Sequence, residues 1–136
     1  MAEVYRLRNE EVYEAPESEL RRFARFFVDS SIAPNARLDA GVFDYPPGAA
    51  CHEHVHEQAD EIYFVLQGEL RSVVNGLEHR IGRGDLLYIH AGEVHVTDNP
   101  TGEYTSFFAV HVPCVEDYDE FRRSWPKRLN VPEEAW

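Results

Sequence analysis

Between Leu38 and Val112 the chain consists of short runs rich in β-branched and aromatic residues, at 38–45, 50–56, 61–66, 69–75, 78–81, 86–89, 94–98 and 104–112. Turn residues punctuate them every eight to twelve positions, among them Pro46-Pro47-Gly48, Gly68, Gly82-Arg83-Gly84, Ala91-Gly92 and Asn99-Pro100. Regular short strands of this kind predict an all-β, antiparallel sandwich or barrel. Asn75-Gly76, set between Val73-Val74 and Leu77, is a two-residue hairpin signal, because both turn positions need positive φ.

The two ends read differently. Residues 116–125 place Tyr118, Phe121 and Trp125 on one helical stripe, with acids in the first turn, Arg122-Arg123 near the end and Pro126 as a stop. That pattern predicts a short C-terminal helix packed on the barrel or on a partner copy. Residues 18–27 suit a helix through Leu20, Phe23 and Phe27, or a strand through Arg25-Phe26-Phe27-Val28, and the strand is slightly preferred. The expected organisation is one domain: an N-terminal strand or arm at 1–37, a barrel at 38–113, and a helix and tail at 114–136.

Composition sharpens this picture. The chain has 136 residues, room for one domain, and 43% of them are hydrophobic, enough for a real core. The 25 acidic residues outnumber the 13 basic ones, for a formal charge of −12. Nucleic acid and anionic membranes reward a basic face and are not expected as partners. Met1-Ala2-Glu3-Val4-Tyr5-Arg6 carries charge where a signal peptide needs an apolar stretch, and the longest apolar run, 62–66, is too short to span a bilayer. Two cysteines, Cys51 and Cys114, do not make a stapled scaffold, so a reducing cytoplasm is the expected location.

The seven histidines are unevenly placed, with His52, His54 and His56 inside five residues. His54 and His56 are two apart, so on a strand both imidazoles point to one face. Glu61 follows a short turn and can face the same space, and the segment 84–99 offers another histidine after a tight turn. Three imidazoles and a carboxylate inside a small barrel would hold a divalent metal with coordination positions left open.

Here the sequence resembles the cupin superfamily, in particular its small bacterial single-domain members. Residues 48–68 match the first cupin motif, G-x5-H-x-H-x4-E-x6-G, at Gly48, His54, His56, Glu61 and Gly68. Residues 84–99 match the second, G-x5-P-x-G-x2-H-x3-N, at Gly84, Gly92, His95 and Asn99, with His90 in place of the usual proline. The resemblance implies a conical antiparallel β-barrel (a double-stranded β-helix or jelly roll) with the site inside. It also implies His54, His56, Glu61 and His95 as ligands of a divalent transition metal: Fe, Mn, Ni or Zn.

His52 shares strand parity with His54 and His56, which points it into the barrel or its mouth as a proton shuttle, a further ligand or a ligand-orienting residue. Tyr63, two after Glu61, faces inward either as an acid/base whose pKa a cation lowers or, the preferred reading, as pocket wall. His90 reads as a surface substitution and His111 as a satisfied core histidine. Cys51 has the opposite parity to the ligands and is expected to face outward into packing.

The expected function is that of a metal-dependent enzyme acting on a small oxygenated metabolite, by dioxygenation, isomerisation or lyase chemistry, with Tyr63 and His52 as candidate catalytic residues. The alternative is a non-catalytic small-molecule or metal-binding module. Residues 41–112 hold 11 acids and only Arg71, Arg80 and Arg83 as bases, which disfavours polyanionic substrates such as sugar bisphosphates. A homodimer is expected from the unclosed sheet edges.

Overall fold

A computed structural model describes residues 2–7, 12–15, 21–115 and 127–128. Ten strands follow in chain order: β1 Val12–Glu14, β2 Phe23–Val28, β3 Asp39–Tyr45, β4 Asp60–Gln67, β5 Glu69–Val74, β6 Leu77–Gly82, β7 Leu86–Ile89, β8 His95–Asp98, β9 Thr105–Val112 and β10 Lys127–Arg128. All pairings are antiparallel, in a seven-stranded sheet of order β10-β1-β2-β3-β9-β4-β7 and a three-stranded sheet of order β6-β5-β8. No helix occurs among the described residues, and the helix expected at 116–125 lies outside them.

Most strands form where the alternation predicts, and in the ambiguous segment 18–27 the residues from Phe23 onward are a strand, β2, while 18–20 lie outside the described residues. On β4, Glu61, Tyr63 and Val65 are buried, whereas Phe64 and Leu66 are exposed, the period-2 alternation of a strand with one face on a core. Tyr63, Val65, Phe107, Leu70, Val74 and Ile81 belong to one core drawn from both sheets. Phe107 is its aromatic centre: its ring meets Tyr45 at 5.1 Å, Tyr63 at 5.0 Å and Phe43 at 5.7 Å between centroids.

Turn chemistry fixes the registers. Asn75 and Gly76 adopt φ of 48° and 80°, closing the β5–β6 hairpin with Val74 opposite Leu77, as the Asn-Gly pair predicts. Asn99 is buried and clamps the turn after β8: its Nδ2 donates to the carbonyls of Tyr45 (2.8 Å) and Glu103 (2.6 Å), while its Oδ1 accepts from Thr101. The asparagine of the second motif therefore has a structural role.

One expected strand does not form as a continuous element. Residues 50–56 make only two isolated bridges, Ala50 with Asp98 and His54 with His95. Backbone bonds from Cys51 N to Thr97 O (3.0 Å) and His54 N to His95 O (3.0 Å) hold the segment across β8. Three residues intervene between the bridges, and strict alternation is lost there.

Candidate metal centre

Three pieces of chain deliver the four expected ligands. His54 and His56 come from the bridged segment 50–56, Glu61 from the start of β4, and His95 from the start of β8. Their ligand atoms all lie within 4.8 Å of one another. The rings of His54 and His95 are 4.2 Å apart between centroids, facing across the bridge that joins their backbones. His95 is fully buried, with Nε2 3.0 Å from Glu61 Oε1, and His56 Nε2 stands 4.0 Å from the same oxygen.

The donor set fits a divalent transition metal. Two donors each about 2.1 Å from one ion and at right angles to each other lie ~3 Å apart, the His95–Glu61 separation. Tautomers are fixed by local bonds: His54 Nδ1 pairs with the His52 carbonyl at 2.7 Å and His95 Nδ1 with the Glu93 carbonyl at 2.9 Å. A carbonyl accepts only, so each Nδ1 carries a proton, which leaves Nε2 as the nitrogen turned toward the cluster. Burial, helped by the neighbouring histidines and against the pull of Glu61, lowers the His56 pKa to about 4. His56 is therefore neutral, as a ligand must be. For Glu61, burial works against ionisation, but His111, His95 and His56 outweigh it and hold the carboxyl well below the usual carboxylate range.

His111 belongs to this centre, which the sequence reading did not anticipate. It is buried as expected, but the registers place it opposite Asp39 on one side and opposite Glu61 on the other. Its Nδ1 is 2.6 Å from Asp39 Oδ1, and its Nε2 contacts Glu61 Oε2. Asp39 Oδ2 in turn accepts from Val115 N at 2.9 Å. Burial would lower the His111 pKa, yet the two flanking carboxylates raise it to about 10, so the imidazolium is held between them. Strand parity marks His111 as inward or outward only once register is known, and three strands had to be aligned to supply it.

A cavity of about 70 Å³ opens beside the cluster, lined by His54, His56, Glu61 and His111 and walled by Phe26, Phe43, Tyr45, Tyr63 and Phe107, with Cys51 and Arg22 completing it. Tyr63 is thus in the wall, as preferred. Its phenol pKa is raised well above the ordinary value by burial and then by Glu61, so it is a neutral hydrogen-bond donor.

Two orientations differ from expectation. His52 is exposed and not among the residues lining the cavity, while Cys51 lines it, with Sγ 3.2 Å from Thr97 N. Both reversals follow from the broken alternation between Ala50 and His54. Arg22, only 6% exposed, was not anticipated, because it lies outside both motifs and outside the barrel segment 41–112. Its signal was parity: Arg22, Ala24 and Phe26 share one face, and Ala24 pairs with Phe43 across β2–β3. His90 is exposed, as the surface reading had it, and both cysteines are free thiols.

Comparison with known proteins agrees with this architecture. Residues 41–111 match the family model of the cupin domain. The oxalate-binding protein of Thermotoga maritima is 37% identical over 65 residues, covering 48% of this chain and 54% of that protein. The HTH-type transcriptional regulator PuuR of Escherichia coli is 31% identical over 81 residues, 59% of this chain and 43% of the regulator. The chain thus spans about half the length of these curated relatives. Among solved structures, a predicted oxalate decarboxylase from Thermotoga maritima superposes with a TM-score of 0.68 at 25% identity, covering 79% of this chain and 97% of that one. An RmlC-like cupin from Shewanella frigidimarina gives 0.69 at 19% identity over 86% and 96%, a likeness of fold. Both motifs, the two-sheet jelly roll and a family match across just over half of its length place this chain in the cupin family.

Proposed function

We propose that this cupin binds a divalent transition metal through His54, His56, Glu61 and His95 and acts as an enzyme on a small oxygenated metabolite held in the adjoining cavity. The observation that carries the reading is the convergence of four ligand atoms within 4.8 Å at the edge of an aromatic-walled cavity. The cavity volume, about 70 Å³, corresponds to roughly five water-sized positions, which suits a molecule of a few heavy atoms. When bound, such a metal polarises a carbonyl or lowers the pKa of a coordinated group, and iron adds redox chemistry.

The chain's own residues supply the rest. His111, locked between Asp39 and Glu61, orients the carboxylate. Tyr63 offers a neutral phenol to a developing negative charge, and the aromatic walls limit water at the reacting atoms. Dioxygenase, isomerase and lyase chemistry all fit this arrangement. His52 is exposed and does not line the cavity, so Tyr63 is the candidate catalytic residue that the cavity itself offers. The test is turnover of small hydroxy- and keto-acids by protein loaded in turn with Fe(II), Mn(II), Ni(II) and Zn(II), with O₂ uptake separating oxygenation from the other two. Binding without turnover by any metal form would favour a second reading, a non-catalytic binding module, which the oxalate-binding relative supports.

The proposal includes a homodimer. Phe64, Leu66, Leu86 and Tyr88 are exposed on the outer face of β4 and β7, where Phe64 pairs with Leu86. A second copy of this chain would cover them.

A further inference from the structure

The registers of β2, β3, β9 and β4 stack their inward-facing residues in rungs two residues apart, roughly 7 Å per step. Asp39, His111 and Glu61 form the first rung, at the edge of the metal cluster. The second is Phe26, Gly41, Ala109 and Tyr63, and the third is Ala24, Phe43, Phe107 and Val65. Gly41 and Ala109 add little bulk to the second rung, and the Phe26 and Tyr63 rings on either side of them line the cavity. The Phe43 and Phe107 rings, stacked at 5.7 Å between centroids, line it one step further from the cluster.

Polar groups elsewhere in the lining bond within the wall itself. Arg22 Nη1 donates to the Ala50 carbonyl at 3.0 Å, Cys51 Sγ accepts from Thr97 N at 3.2 Å, and the Tyr45 hydroxyl interacts with Cys51. The Tyr63 hydroxyl interacts with Glu61, at the metal end. The cavity thus has donor atoms for a metal at one end and aromatic faces along the two rungs beyond it. A hydroxyl buried against such faces without a partner costs about 1–3 kcal/mol, whereas a methyl group gains by leaving water.

We infer that the ligand of this cavity has two unlike ends: an oxygen-chelating head directed to the His54/His56/Glu61/His95 cluster and a short alkyl tail lying against Phe26 and Tyr63. Phe43 and Phe107 form the floor beyond the tail and set its length, which makes Phe43 a specificity residue. This rests on the metal-binding reading above and names the substrate class within it. A second polar or charged group on the tail is selected against, in line with the disfavoured polyanions.

The experiment is calorimetric titration of the metal-loaded protein with α-ketobutyrate and hydroxypyruvate, acids of one size that end in a methyl or a hydroxyl group. The longer, branched α-ketoisocaproate is titrated beside them, and metal content is measured on the same samples. Wild-type protein is expected to prefer α-ketobutyrate to hydroxypyruvate by about tenfold or more, and to bind α-ketoisocaproate more weakly than α-ketobutyrate. Phe43→Leu is expected to keep full metal content and to raise α-ketoisocaproate relative to α-ketobutyrate by about fivefold or more. Equal or stronger binding of hydroxypyruvate by wild type, no binding of any of the three acids by metal-loaded wild type, or an unchanged ranking of tail lengths in Phe43→Leu would each overturn the inference. The methyl-against-hydroxyl comparison in wild type decides the matter even if Phe43→Leu fails to fold. A protein that takes up no metal would instead overturn the metal-binding reading itself, and this inference with it.

Discussion

His54 and His95 use the same local device twice: each donates its Nδ1–H to the carbonyl two residues before it and turns Nε2 toward the cluster. Under the proposed metal binding, replacing either by Ala removes one of the four ligand atoms of the cluster. His54→Ala and His95→Ala are therefore expected to lower metal content from about one equivalent to background by elemental analysis. His52→Ala, on the exposed side of the same segment, is expected to leave it unchanged. At His111 the prediction concerns pH. Its folded pKa is raised from 6.5 to about 10. Above 6.5 the unfolded chain has released this proton while the folded protein still holds it, so stability is full below about 6.5 and falls as pH rises toward 10. Denaturant unfolding of metal-free protein across that range is expected to show this decline, and His111→Asn to flatten it. An equal slope in the variant would assign the effect elsewhere. The clustering of His54, His56, Glu61 and His95 was legible from spacing. His111 and Arg22 were not, because their roles depend on which strands become neighbours.

At the scale of elements, short loops and tight approaches hold the two sheets in register. Gly68, between β4 and β5, has φ of +80°, and a Cβ there would stand 2.5 Å from Thr105 Oγ1 and 2.7 Å from the Tyr104 carbonyl. Thr105 bonds both the amide and the carbonyl of Glu69, so the start of β9 cannot move away without losing them. Gly68→Ala combines a disfavoured backbone conformation with a clash against main chain and is expected to cost about 2–4 kcal/mol in urea unfolding. A loss under about 0.5 kcal/mol would contradict the account of this crossing. Seven of the eight runs expected between residues 38 and 112 form strands, because turn residues and alternation there agree. The eighth, 50–56, reads as a strand by composition but spans β8 with two single bridges. Its loss of alternation is why parity placed Cys51 and His52 on the wrong sides.

At the scale of the whole molecule, the chain carries a net charge of −12, and its site sets one imidazolium, His111, between two carboxylates, Asp39 and Glu61. The family, the jelly roll and the four-ligand cluster could be read from two motifs in the sequence, since their glycines, histidines and spacing must coincide. What the sequence did not disclose was the inside of the cavity: a cation from outside the motifs, and a histidine wedged between two carboxylates. On the outer sheet face, replacing Phe64 and Leu86 together by Glu is expected to convert the proposed dimer to monomer in light scattering without changing metal content. A monomeric wild-type protein would contradict the dimer. The central claim is the metal centre, and the most direct measurement is a crystal structure of the purified, metal-supplemented protein with anomalous scattering at the metal edges. The account predicts one ion bound by His54, His56, Glu61 and His95 together, beside the cavity lined by Arg22 and Tyr63. An ion bound elsewhere, or none after supplementation with Fe, Mn, Ni and Zn, would contradict it.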